Sequence, residues 1–302
     1  MSSFTPIDPA LLDTPSPEIA LSPDGHPGYT EELCAGDTTD VLWDVCGSAS
    51  REFPKHLWIE PEDWADKARD NDKYKTWPLN YSDRFTNQNP NHFCTCHSLA
   101  TSFEMCRNRQ RAVNYGDGPK KDFRHEESSK YGSVWMSPMS IYAEANPRQW
   151  GGAGCRQVME ICVRRGFLPD PIQPKEYGFR HTLIGTTGRG GKNQSSGAWT
   201  PVSRFPDGWQ ETAKHFRAQE VIFPRSAEQI MCLVLHGYSV GVGRNGHAIP
   251  YCFANIQEKA IAYQDSYDVI RWDSWRTVQS AVGGAYALAT VTTPDDWSRP
   301  AG

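Results

Sequence analysis

The residues best suited to covalent chemistry are crowded into one short segment, Asn87-Gln-Asn-Pro-Asn-His-Phe-Cys-Thr-Cys-His97. A cysteine attacks a carbonyl only as the thiolate. It needs an imidazole to take the proton and return it, and hydrogen-bond donors for the oxyanion of a tetrahedral intermediate. A helix N-terminus beneath the sulfur adds a favourable dipole. Each of these has a candidate here. Cys94 stands just before an apolar pattern that predicts a helix from about Leu99 to Val113, and Gln88, six residues upstream, carries an amide that can donate. Far downstream, His247 opens a predicted strand in Asn245-Gly-His-Ala-Ile249, and Asp265 lies on the next, in Tyr263-Gln-Asp-Ser-Tyr267, where it can orient an imidazole. Taken singly, each has a plainer role: most free cysteines are small packing residues, and a lone His or Asp most often satisfies a core or a strand end.

The elements that must hold these groups follow from caps and periodicity. Pro61 to Arg69 reads as a short helix with Pro at its start, and Ser137-Pro138 opens another. Cys155 to Arg165 predicts a helix closed by Gly166; Ser226-Ala-Glu-Gln229 is a capping box for one closed by Gly237. Short strands follow at Tyr238–Val242, Ala248–Phe253, Ala260–Gln264 and Tyr286–Val291. A helical first half and a β last third predict an α+β fold, with the site at the seam between the two. Residues 180–210 read as a long Gly/Ser/Thr-rich loop, and Arg107-Asn-Arg-Gln-Arg111 as the solvated end of a helix.

Taken together and in order, these residues resemble the papain family of cysteine peptidases. That family carries N-Q-G-x-C-G-S-C-W-A-F-S-x-x-x-x-x-E, and Asn87, Gln88, Cys94, Ser98 and Glu104 match it without a gap. Its His-Ala strand is similar to His247-Ala248, its Asn-Ser-Trp to Asp265-Ser266-Tyr267, and its late Gly-Tyr strand to the stretch Gly283–Tyr286. The resemblance spans about residues 77–293. It implies a helical subdomain and an antiparallel β-sheet or barrel subdomain. It also implies Cys94 as nucleophile, His247 as base and acid, Asp265 as orienter, Gln88 with the Cys94 N–H as oxyanion donors, and Gly151 and Gly152 as binders of substrate backbone. Cys96 is the alternative nucleophile, at the cost of a two-residue insertion after Gln88 and the Glu104 match. Three departures stand out: Thr95 replaces a Trp, Asn89 to His92 replace a Gly-containing loop, and Asp265 replaces an Asn.

The resemblance implies hydrolysis of a peptide or related amide, with a peptide or protein substrate and no cofactor. The competing expectation is a structural or interaction component of a larger assembly, for instance a phage or other virus particle, on the same scaffold. Residues 1–76 read as an N-terminal extension, a Pro-rich arm that needs an assembly partner or its own chain to lie on, then a Trp-rich packing segment. They do not resemble an inhibitory pro-segment. Residues 77–302 read as the papain-like domain. A net charge of -5 argues against a general nucleic-acid or membrane-surface binder, and no apolar run is long enough to span a bilayer. No secretory signal is legible at the N-terminus. Nine irregularly spaced cysteines point to free thiols in a reducing, cytoplasmic compartment. One C-x-C without a second ligand pair argues against a metal site, and Gly188-Arg-Gly-Gly-Lys192 lacks phosphate-loop spacing.

Overall fold

Two layers meet along a six-stranded antiparallel sheet. A computed structural model describes residues 12–13, 53–82, 88, 94–114, 135–145, 152–169, 201–205, 207–244, 246–267 and 269–293. The helices are α1 (Trp64–Tyr74), α2 (Cys94–Asn114), α3 (Pro138–Ala145), α4 (Cys155–Arg164), α5 (Trp209–Ala213), α6 (Ala227–Leu235) and α7 (Trp275–Ser280). The strands are β1 (Arg217–Ile222), β2 (Val240–Arg244), β3 (His247–Asn255), β4 (Ala260–Asp265), β5 (Val269–Ser274) and β6 (Tyr286–Thr292), in the order β1-β6-β2-β3-β4-β5. The fold is α+β.

Strand alternation splits the core in two. On β6, Tyr286 and Leu288 join Leu99, Phe103, Ile141, Val158 and Phe167 of the α2–α4 layer. Ala287 and Ala289 face the other way and pack with Ile230, Val234, Ile249 and Ile261. Leu57, Trp64, Ala68 and Trp77 belong to that second cluster. The long helix α2 is buried nearly all round through Asn108, as a helix between other elements must be.

The Ser226 cap forms, but its reciprocal bond falls on the residue before it, so the expected capping box closes one residue early. The Ser226 hydroxyl accepts from the Gln229 N–H at 3.2 Å, and the Gln229 side chain takes the N–H of Arg225 at 2.7 Å. Gly166 ends α4 at φ 79°, where an added Cβ would lie 2.0 Å from the Ala213 carbonyl oxygen.

Four expectations need correction. Helix α2 starts at Cys94, not near Leu99, so the thiol is part of the helix. The run Arg107 to Arg111 is not solvated: β6 and the turn Pro78–Tyr81 cover it. Arg107 and Asn108 are buried, Asn108 Nδ2 donates to the Tyr81 carbonyl at 2.9 Å, and the Arg109 guanidinium stacks 4.1 Å from the Tyr238 ring centroid. Gln110 pairs with the backbone of Val291 like an extra strand residue, accepting from its N–H at 2.8 Å and donating to its carbonyl at 3.2 Å. The third correction is local: Val202–Arg204 forms a 3-10 turn and α5 begins at Trp209, so the end of the expected loop is structured. The fourth concerns two strands: β1 and β5 had no clear signal, since each mixes charge into its alternation.

The loop Asn89 to His92, Gly151, residues 115–131, residues 171–200 and all of the N-terminal arm except residues 12–13 lie outside the described residues. Leu12 bridges in parallel to Trp272 on β5, and the Asp13 carboxylate accepts from the Ser274 N–H at 2.8 Å. No described helix is long and apolar enough to cross a membrane.

Candidate active site

Cys94 is the first residue of α2, where the opening N–H groups of a helix lack intrahelical partners and the dipole favours negative charge. Across from it, β2 and β3 form a hairpin whose register pairs Arg244 with His247. Gly246 takes φ 74°, the conformation such tight turns require. The turn therefore places His247 as the first residue of β3. The next residue closes the approach: the Ala248 N–H donates to the Cys94 Sγ at 3.4 Å.

Strand β4 delivers the third group. Nε2 of His247 lies 2.9 Å from Oδ1 of Asp265 and donates to it. Burial opposes charge on this imidazole. A negative Cys94 sulfur, a hydrogen bond to it and the Asp265 carboxylate together outweigh burial and push His247 up to about 9. The imidazolium form of His247 is the state this geometry favours at neutral pH.

Gln88 is brought to the same place. Its N–H donates to the Ser266 carbonyl at 2.9 Å, its Oε1 accepts from the Ser266 hydroxyl, and its Nε2 donates to the Tyr267 hydroxyl at 3.2 Å. The Tyr267 ring lies 5.7 Å from the His247 ring, centroid to centroid, at 35°. Burial first, then the charges of Cys94 and Asp265, hold the Tyr267 hydroxyl above its ordinary range, so it stays protonated.

Cys96 sits deeper. It is wholly buried in the helical core, and burial followed by the charge of Cys94 pushes its thiol well above the ordinary value. Cys94, not Cys96, meets the imidazole strand. Thr95 donates to the Ala153 carbonyl at 2.8 Å, which ties the segment after Gly152 to the start of α2. Glu104, one of the motif matches, accepts from the Met136 N–H at 2.7 Å and so braces α2 against the entry to α3.

Two contributors had been missed. Nε of Arg271 on β5 lies 2.9 Å from Oδ2 of Asp265, so this carboxylate is held from both sides. Ser266 fixes Gln88 from backbone and side chain alike. Arg271 becomes legible once Val269-Ile-Arg-Trp-Asp-Ser274 is read as a strand, because alternation then puts it in register with Tyr263 and diagonal to Asp265. Among the described residues, no group of three or more His, Cys, Asp or Glu could hold a metal ion.

No protein-family model matches the sequence, and no curated protein matches it. Among solved structures, the chain is similar to xylellain, a cysteine protease from Xylella fastidiosa, at 12% identity and TM-score 0.44, over 70% of this chain and 83% of that one. It is also similar to procathepsin B from Trypanosoma congolense, at 11% identity and TM-score 0.43, over 88% of this chain and all of the other. At such scores the neighbours say nothing about chemistry, which has to be read from the side chains.

Proposed function

We propose that this chain is a papain-like cysteine peptidase, or a related amide hydrolase, that works through an acyl-thioester on Cys94. The observation that carries the reading is a sulfur at a helix N-terminus whose facing imidazole is held by a buried carboxylate. The Cys94 thiolate attacks the amide carbon, and the carbonyl π electrons move to oxygen, where the Cys94 N–H and Gln88 donate. Collapse restores the carbonyl and breaks the C–N bond as His247 gives its proton to the leaving amine. Water then attacks the thioester while His247 takes its proton, and the thiolate leaves with the carboxylic acid formed. Asp265 keeps the imidazole oriented throughout. Residues 77–302 form the catalytic domain, 1–76 its extension, and Gly151 and Gly152 take substrate backbone.

One observation favours a second reading, an assembly component on the same scaffold. Cys94 is only 1% exposed, so a substrate reaches it only if something shifts. Iodoacetamide labelling near neutral pH, read as intact mass, separates the two in wild type, Cys94→Ala, Cys96→Ala and His247→Ala. The peptidase reading expects fast labelling that vanishes in Cys94→Ala, slows in His247→Ala and persists in Cys96→Ala. Uniformly slow labelling in all four favours the assembly component.

A further inference from the structure

The family resembled here orients its histidine with a neutral Asn, whereas this chain has a carboxylate in a fully buried position. A carboxylate there brings a charge that an amide does not, and an unneutralised buried charge is costly. Oδ1 of Asp265 meets Nε2 of His247 at 2.9 Å, and Oδ2 meets Nε of Arg271 at 2.9 Å. Arg271 has a side chain only 18% exposed, so solvent screens this second contact little.

We infer that Arg271 is a positioning residue that neutralises Asp265, so that the Asp265–Arg271 pair presents His247 with an electroneutral, fixed acceptor equivalent to an amide. The inference rests on the peptidase reading for its purpose, though not for its test. The arrangement follows from register. Asp265 pairs with Val269 and Tyr263 with Arg271, so Arg271 reaches Asp265 along the diagonal. The charged and titratable groups around this cluster are Cys94 from α2, Arg244 from β2, His247 from β3, Tyr263 from β4, Tyr267 from the turn after it, and Arg271 with Asp273 from β5. Of these, Arg271 is the cation that touches Asp265 from the side away from His247. Its removal leaves the negative charge of Asp265 acting on the imidazole alone, and the imidazolium becomes harder to deprotonate.

The test is an NMR titration of ¹³C-labelled histidine in the full chain, in a Cys94→Ala background so that no thiolate titration is coupled to it. His247→Ala identifies the resonance. Arg271→Gln is expected to raise the His247 midpoint by about one pH unit. Asp265→Asn, which leaves the cation, is expected to lower it. The double variant Asp265→Asn/Arg271→Gln is expected to return it close to the reference. Arg271→Lys, which keeps the charge but loses the planar fork, is expected to leave the midpoint near the reference. A merely structural Arg271 would not produce this ordering. An unchanged midpoint in Arg271→Gln, or a double variant displaced as far as either single one, overturns the inference, whatever Cys94 labelling shows. Absence of fast Cys94 labelling counts against the peptidase reading alone.

Discussion

Strand β5 supplies one member to each of two Asp–Arg pairs, and the two behave differently. At one end, Arg271 holds Asp265, whose other oxygen receives His247. Further along, Asp273 meets Nε of Arg244 at 2.6 Å and accepts from the Tyr251 hydroxyl at 2.7 Å, while Arg244 also donates to Tyr263. Arg271 of the first pair keeps a partly exposed side chain, and the Arg244–Asp273 pair is shut away from water. The first touches an imidazole that faces a sulfur at a helix end. The second touches phenols alone. A buried ion pair is therefore not itself a sign of chemistry; what matters is whether a titratable partner and a nucleophile stand at its open end. The Arg244–Asp273 pair reads as structure, joining β2 to β5 across β3 and β4.

The largest expected effect that would break this contrast is at His247. Its replacement by Ala should cut turnover of any amide substrate on the order of 10⁴-fold, read as initial rate on the folded variant. A comparable loss on replacing Asp273 would mean that the two pairs are not distinct. The His247 value also fixes a pH window. Its folded value, about 9, lies above the ordinary 6.5. Stability from this contact is thus complete below pH 6.5 and lost as pH rises through about 9. Denaturation midpoints of wild type and His247→Ala should converge on going alkaline; on the peptidase reading, turnover should fall over the same rise, because that reading needs the imidazolium to protonate the leaving amine.

Next in size is Asp273→Ala, which strands the Arg244 guanidinium. A loss of about 3–5 kcal/mol in urea unfolding is expected, with the labelling rate of Cys94 unchanged in the folded protein. Asp273→Asn sharpens the point. Burial, outweighing Arg244 and Tyr251, holds the Asp273 carboxyl up to about 6 against an ordinary 3.8. A carboxyl raised in the folded state contributes stability below pH 3.8 that is lost as pH rises through about 6. The Asn variant should lack that decline, and a slope identical to wild type would remove Asp273 from the account. The smallest effect is Thr95→Val, which leaves the Ala153 carbonyl without its hydroxyl donor and should lower stability by about 1 kcal/mol, read as a shifted urea midpoint.

Part of the candidate site could be read from local pattern: Gln88 lies six residues before Cys94, and His247 stands at the head of a predicted strand. The α4 and α6 boundaries were legible for the same reason: a cap and a helix-ending glycine act within a few residues. Strand β5 was not, since Arg271 and Asp273 interrupt an apolar alternation and their partners lie elsewhere in the chain. The buried run at Arg107 misled because charge suggests solvent, and only the packing of β6 and the Pro78–Tyr81 turn over α2 reverses that.

The sequence alone determined the residue types and the order of the elements, and register with Gln88 and Glu104 favoured Cys94 over Cys96 as the candidate thiol. Tertiary structure decided which groups touch. It started α2 at the thiol itself, turned the Asp265 carboxylate between His247 and Arg271, and tied Gln88 to Ser266 and Tyr267. Local propensity acts over a few residues, whereas hydrogen bonds between groups more than a hundred residues apart exist only once the sheet and the helix have closed on one another.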